Sequence, residues 1–204
     1  MSELLIPLFI LVLFLLTLAT IWIIKARKFI SSGTVASAYD AWTQDKLLER
    51  LWGEHIHLGF YPPRKKNIDF RKAKVQFVHE LVKWSGLDKL PKGSRILDVG
   101  CGIGGSSRIL AKYYGFNVTG ITISPAQVKR ARELTPSGLN CNFRVMDALD
   151  LKFEDGSFDA VWSVEAGAHM NDKTRFADEM LRTLRPGGFL ALADWNSRDL
   201  EAYP

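Results

Sequence analysis

The sequence predicts an α/β protein with a doubly wound parallel sheet, and three observations point there. From Ser94 onward, short apolar runs alternate with helical segments, the pattern of βαβ units. One such run, Ile96-Leu97-Asp98-Val99, leads straight into the glycine-rich turn Gly100-Cys101-Gly102-Ile103-Gly104-Gly105. The composition, 47% hydrophobic and 24% charged over 204 residues, allows one core of ordinary size and excludes a disordered chain or two full domains.

The first element is set apart from that core. Leu4–Ile24 carries no charged residue, and at about 1.5 Å per residue a helix of that length matches a hydrocarbon layer of about 30 Å. A cleaved signal peptide fits poorly: the start Met1-Ser2-Glu3 has no positive side chain, and Ile21-Trp22-Ile23-Ile24 offers no small-residue cleavage site. Lys25, Arg27 and Lys28 follow directly. By the positive-inside rule, residues 1–30 are a single-pass membrane anchor and the rest of the chain lies on the cytoplasmic side.

Residues 31–93 read as a helical lid region. Thr34–Trp52 has Val35, Ala38, Trp42, Leu47, Leu48 and Leu51 at helical spacings, which predicts one amphipathic helix. An aromatic and histidine-rich loop follows, Trp52 to Pro63, and Ile68–Trp84 returns to helical periodicity. Arg64, Lys65, Lys66, Arg71, Lys72 and Lys74 make the local charge strongly basic within a net +5. No nucleic-acid recognition module accompanies the run, so it reads as a solvated helix face or a contact with anionic lipid, and no nucleic-acid partner is expected. Four histidines and two cysteines show no metal-ligand spacing and no disulfide framework.

Residues 94–204 hold the α/β part. Strands are expected at Arg95–Val99, Phe116–Ile121, Asn142–Met146, Phe158–Ser163 and Phe189–Ala193, with helices beginning near Gly105, Ser124 and Asn171. Ser124-Pro125 is a helix start, because the hydroxyl caps and proline occupies a position whose missing N–H costs nothing. Gly100, Gly102 and Gly105 satisfy G-x-G-x-x-G, which brings a dinucleotide dehydrogenase into view. Against it, the second strand ends Gly120-Ile121-Thr122-Ile123-Ser124, without the acid that would hold a ribose hydroxyl. Asp98, two residues before the first glycine, is poor company for a pyrophosphate and a good partner for an ammonium group.

With Asp155-Gly156-Ser157-Phe158-Asp159-Ala160-Val161 and Leu184-Arg185-Pro186-Gly187-Gly188 added to the glycine motif, the sequence from Ser94 onward resembles the class I S-adenosylmethionine-dependent methyltransferases. Trp52-Gly53-Glu54-His55-Ile56-His57-Leu58-Gly59, Val118 to Pro125 and Trp162 to Met170 look like the tocopherol-pathway branch. The anchor and Asp194-Trp195-Asn196 look closest to the cyanobacterial methyltransferases of 2-methyl-6-phytyl-1,4-benzoquinol.

The resemblance implies a Rossmann-like sheet with S-adenosyl-L-methionine as cofactor. Of the family's seven strands five are expected here, the last two missing. Gly100, Cys101, Gly102 and Gly104 would line the methionine and ribose, with Asp98 near the amino group. Thr122 and Gln127 would take the ribose hydroxyls, and Asp147 with Ala148 the adenine. Asp147 reads equally well as a turn cap before Leu149.

The implied reaction is C-methylation of a prenylated benzoquinol, with a tocopherol, another prenylquinone or a sterol-like lipid as alternative acceptors. A non-catalytic S-adenosylmethionine-binding module is the reading outside enzymology. A base that ionises the ring hydroxyl would push electron density onto the attacking carbon. His169 is favoured for it, with Glu165 orienting it, since both follow the fourth strand where doubly wound sheets present ligand-contacting residues. His55 and His57 are the other candidates. No metal is expected. Trp42, Trp52, Phe60 and Tyr61 read as core packing or as part of an entry path for a lipophilic quinol.

Overall fold

The computed structural model describes residues 2–26, 32–63 and 67–196, which fall into two compact units, Met1–Val35 and Ala36–Pro204. The first unit holds α1 (Ser2–Ala26), a helix of 25 residues. Its described side chains, Pro7 and Phe9 to Ile21, are exposed. Among the described residues no helix is long and apolar enough to cross a membrane. Arg27, Lys28 and the expected anchor boundary at residue 30 lie outside the described residues, as do Arg64, Lys65 and Lys66 of the basic run.

The single helix expected over Thr34–Trp52 is two helices, α2 (Ser32–Gln44) and α3 (Leu47–Trp52). The break lies at Asp45-Lys46. Lys46 adopts a left-handed φ of 56°, and the Asp45 carboxylate accepts from the Leu47 N–H, closing a local turn between the two helices. α4 (Phe70–Ser85) is bounded by Asp69, which accepts from the Arg71 and Lys72 N–H groups, and by left-handed Gly86.

The sheet then alternates with its helices: β1 (Arg95–Val99), α5 (Gly105–Tyr114), β2 (Asn117–Thr122), α6 (Pro125–Leu134), β3 (Cys141–Val145), β4 (Phe158–Val164), α7 (Lys173–Thr183) and β5 (Leu184–Ala193). Its order is β3-β2-β1-β4-β5 and every pairing is parallel. β5 begins earlier than its apolar run suggests. Leu184 already pairs with Phe158, the register slips across Arg185-Pro186-Gly187-Gly188, and Phe189 then pairs with Ala160. Asp159 ties this end together, accepting from the Arg95 N–H at 2.7 Å and pairing with Arg185 at 3.0 Å.

Alternation along the central strands fills both faces. Ile96, Ala160 and Trp162 pack with Val78, Val82, Leu87, Leu110 and Phe116 on one side, while Leu97, Val99 and Val161 pack with Ile121, Phe176 and Met180 on the other. This two-sided burial makes the strands read as continuous apolar runs.

The lid segment is fixed to the carboxyl end of this sheet. Asp40 of α2 accepts from the Ser124 hydroxyl and from the Ala126 N–H at the start of α6. Glu49 of α3 receives two bonds from Arg130 of α6, at 2.8 and 2.6 Å. Arg108 of α5 donates to Glu54 at 2.6 Å and to the Ile103 carbonyl of the glycine turn at 2.8 Å, so one guanidinium holds both loops. Lys74 of α4 donates to the carbonyls of Trp52 and His55 from between the rings of Trp52 and Phe70.

Two substitutions test this packing. Leu97 is fully buried on the central strand, so Leu97→Ala lowers unfolding stability by about 2–5 kcal/mol, measured from the denaturant midpoint of the full chain. A Cβ at Gly105 would stand 2.6 Å from the Glu54 carbonyl oxygen and 2.9 Å from the His55 ring. Gly105→Ala therefore raises amide hydrogen exchange across residues 53–59 while leaving β1 and β2 protected. Unchanged exchange in the lid would show that the loop does not rest on α5.

Candidate functional site

The chain leaves β1 for β2 on one side and returns to β4 on the other, so the loops after β1 and β4 diverge and leave a cleft at their carboxyl ends, where ligands of doubly wound sheets sit. Its floor is the glycine turn. Gly100, Gly102 and Gly104 have φ of 80°, 55° and 81°, a region closed to most side chains. The Gly100 and Cys101 N–H groups both donate to the Ile121 carbonyl, which fastens the turn to β2. A Cβ at Gly102 would meet no atom within 4 Å, so the backbone there borders open space.

Asp98, at the base of the turn, is 2% exposed and accepts from the Ser107 hydroxyl at 2.5 Å. Burial pushes its carboxyl up to about 7, against the opposing effect of the Ser107 bond. At the end of β2 the Thr122 hydroxyl donates to Gln127 Oε1 at 2.6 Å, both residues buried. Asp147, after β3, is exposed and accepts from the Leu149 N–H at 2.9 Å, which is the turn cap the sequence allowed, and Ala148 beside it is buried. The Cys101 thiol packs with Val128, Ala131 and Phe143, and burial raises its pKa well above the usual thiol value. Its N–H is spent on Ile121 and its carbonyl accepts from the Gly104 N–H at 2.9 Å, so the carbonyl's second lone pair is what it can offer a ligand.

This donor set fits an adenosyl sulfonium amino acid. A buried carboxylate matches an ammonium, hydroxyl and amide groups at β2 match a ribose diol, and the open glycine backbone admits close approach. Among the described residues no group of three or more His, Cys, Asp or Glu side chains is gathered as a metal site.

On the far side of the cleft, Glu165 follows β4 with a left-handed φ of 53°. Its N–H donates to the Ala193 carbonyl of β5 at 2.7 Å, and its Oε1 accepts from the Leu58 N–H of the lid loop at 2.9 Å. His169 closes the short turn Gly167–His169, and its Nε2 lies 2.9 Å from the Tyr39 hydroxyl, the rings edge-on at 5.5 Å. Burial and the nearby Glu165 charge push the Tyr39 phenol up. The structure thus gives His169 to Tyr39, and Glu165 to the lid backbone, rather than joining the two by a hydrogen bond.

His55 and His57 lie together within the lid loop, 9% and 7% exposed. Their Nδ1 and Nε2 atoms are 3.1 Å apart, and His57 Nδ1 lies 2.7 Å from the Leu58 carbonyl. Burial lowers both pKa values, that of His55 to about 3. Tyr39, Asp40 and Glu54 were missed in the sequence. Tyr39 falls on the same helical face as Val35, Ala38 and Trp42 and reads as packing, while Asp40 lies off that face and reads as solvated, so neither carries a local signal.

Comparison with known proteins gives this geometry a family. The methyltransferase domain family matches residues 97–192, from β1 to β5. The whole chain is 59% identical to a 2-methyl-6-phytyl-1,4-hydroquinone methyltransferase of Synechocystis, covering 64% of it. Over 76% of the chain, identity to a chloroplastic tocopherol O-methyltransferase of Arabidopsis thaliana is 42%, covering 48% of that protein. The chain therefore spans less than two-thirds of the length of the curated relatives it matches. Among solved structures, the [4+2]-cyclase SpnF superposes with a TM-score of 0.71 at 30% identity, over 78% of this chain and 59% of that one. The cleft at the carboxyl ends of β1 and β4 thus lies within a stretch, residues 97–192, that matches the methyltransferase domain family.

Proposed function

We propose that the chain transfers the methyl group of S-adenosylmethionine to a ring carbon of a prenylated benzoquinol of the 2-methyl-6-phytyl type. The observation that carries this reading is the Tyr39–His169 pair beside Glu165, facing the glycine turn across the cleft, in a chain 59% identical to a relative named for that acceptor.

The bound cofactor supplies an electrophilic methyl on a sulfonium. Gly100, Cys101, Gly102 and Gly104 hold it through their backbone, Asp98 pairs with its ammonium, Thr122 and Gln127 take the ribose, and Asp147 with Ala148 meets the adenine. His169 is the base. The acceptor hydroxyl passes its proton to the Tyr39 oxygen as the Tyr39 proton moves to His169 Nε2, so the phenol never stands as an isolated buried anion. Tyr39 is thus the relay between the acceptor and His169, and Glu165 holds the lid loop through Leu58. Holding the acceptor carbon against the donor would supply the remaining acceleration: the carbon–methyl bond would form as the sulfur–methyl bond breaks, leaving a neutral thioether, and the ring C–H proton would then be lost to restore the aromatic hydroquinol.

A lipophilic acceptor suits an enzyme held at a membrane. We assign Leu4–Ile24 as that anchor, with the rest of the chain on the cytoplasmic side. Support comes from α1, where Phe9 to Leu16 are exposed and the Thr17 and Thr20 hydroxyls are spent on the carbonyls of Leu13 and Leu16 within the helix. The second acceptor reading, methylation of a tocopherol hydroxyl, draws on the 42% identity to the plant O-methyltransferase and uses the same base.

Membranes washed at alkaline pH and given labelled methyl donor test all three parts. The expected result is label on a prenylated benzoquinol carbon, retained in the membrane fraction, and lost by about 10²–10⁴-fold in His169→Ala with S-adenosylhomocysteine binding intact. Label on tocopherol alone replaces the acceptor, undiminished transfer removes His169 as base, and a chain washed off the membrane removes the anchor. A second test uses Asp98. Its carboxyl, raised to about 7 in the free protein, must be ionised to pair with an ammonium. Cofactor binding then releases a proton below pH 7 and tightens as pH rises through it. Calorimetry at pH 5.5 and 8 should differ by roughly tenfold or more in S-adenosylhomocysteine affinity, and Asp98→Asn should be weak and flat. Equal affinity at both pH values would sink the pairing.

A further inference from the structure

His55 plays no part in the proton transfer just described, yet its ring is held with unusual completeness. The Leu58 carbonyl can only accept, so His57 Nδ1 carries the proton that fills the 2.7 Å contact. His57 Nε2 is then an acceptor, and the 3.1 Å contact from His55 Nδ1 must be a donation. This chain of two bonds assigns the His55 tautomer: Nδ1 is protonated and Nε2 carries a bare lone pair. Among the described residues that nitrogen has no hydrogen-bond partner, although the residue is nine-tenths buried. The atom itself is not fully buried, so solvent, or a ligand donor that displaces it, can reach the lone pair.

Its surroundings say which ligand. The ring lies against Gly105, the first residue of α5, at the end of the glycine turn. It cannot drift, because Lys74 holds the His55 carbonyl at 2.8 Å and Arg108 holds the preceding Glu54 and the Ile103 carbonyl together. Burial, His57, Arg108 and Lys74 keep the imidazole neutral to about pH 3, so the lone pair persists at any working pH. A bare nitrogen repels a carboxylate and accepts from an N–H. The amino-acid end of the cofactor brings such a donor, a –NH3+ group with three protons, of which Asp98 uses at most two.

We propose that His55 is a cofactor-binding residue whose Nε2 accepts a hydrogen bond from the ammonium group at the amino-acid end of the methyl donor. The assignment rests on the reading of the cleft as an S-adenosylmethionine site. It makes the lid part of the cofactor site rather than a cover over it.

Calorimetric titration of the full chain with two ligands tests it: S-adenosylhomocysteine, which carries the ammonium, and 5′-methylthioadenosine, which lacks the amino-acid end. His55→Leu should weaken the first by about tenfold or more and leave the second within about twofold. Equal losses for both ligands would reduce His55 to a packing residue, and no loss for either would remove it from the site. Wild-type protein that binds neither ligand would remove the methyl-donor reading and this assignment with it. Nitrogen-15 NMR of histidine-labelled wild-type protein gives an answer that needs no variant. Free protein should show His55 with a protonated Nδ1 and a bare Nε2, and S-adenosylhomocysteine should shift the Nε2 resonance. The opposite tautomer, or an Nε2 resonance unmoved at saturation, would overturn the proposal.

Discussion

Everything in the cleft depends on β1 having a parallel neighbour on each side, with the chain leaving it in one direction and coming back in the other. That reversal alone opens the sheet at its carboxyl edge. The glycine turn can lie flat there because Gly100 and Cys101 share the Ile121 carbonyl, and the loop after β4 can carry Glu165 and His169 because its own backbone is caught by Ala193 of β5. Both faces of the sheet are packed, so neither loop can relax into the core. The side chains they carry face the opening by exclusion as much as by attraction.

The lid completes the site through charge rather than apolar burial. α3 has no buried residue, and the segment from Tyr39 to Leu58 is held by Asp40, Glu49 and Glu54 reaching into helices α5 and α6 and by Lys74 reaching out of α4. Such contacts are directional and leave little slack. Their effect is to bring Tyr39, His55 and the Leu58 N–H to fixed places over β1 and β4, although each individual bond at the rim is modest in energy.

What could be read in the sequence was local. Ser124-Pro125 and the glycine turn announce themselves because capping and positive φ are chemistry within a few residues. The central strands β1, β2 and β4 follow from apolar runs buried on two faces, whereas β3 and β5 are edge strands with mostly exposed or half-buried side chains. The split between α2 and α3 was hidden, because Lys46 in a left-handed conformation is not what a lysine signals, and only the turn-forming Asp45 hints at it. The start of β5 was hidden by Pro186 and the two glycines, which the sheet absorbs as an irregularity opposite Phe158. The site itself was half legible. Asp98, Thr122 and Gln127 sit beside readable motifs, whereas the Tyr39–His169 contact joins residues 130 positions apart and has no trace in any window of sequence. The tautomer of His55 depends on a carbonyl and a second ring, and becomes visible only when three groups are placed together.

The close seating of Glu54 and His55 on Gly105 also sets an order of assembly. The lid is synthesised before the helix on which it rests, with some fifty residues between Glu54 and Gly105. Until α5 and α6 have docked on a formed β1–β2 pair, Glu54 and Asp40 have no partners and the lid has no defined place. The newborn chain therefore passes through a stage in which the sheet edge is open from above. The lid finds its last partner only when the loop carrying Glu165, made long after it, meets the Leu58 N–H.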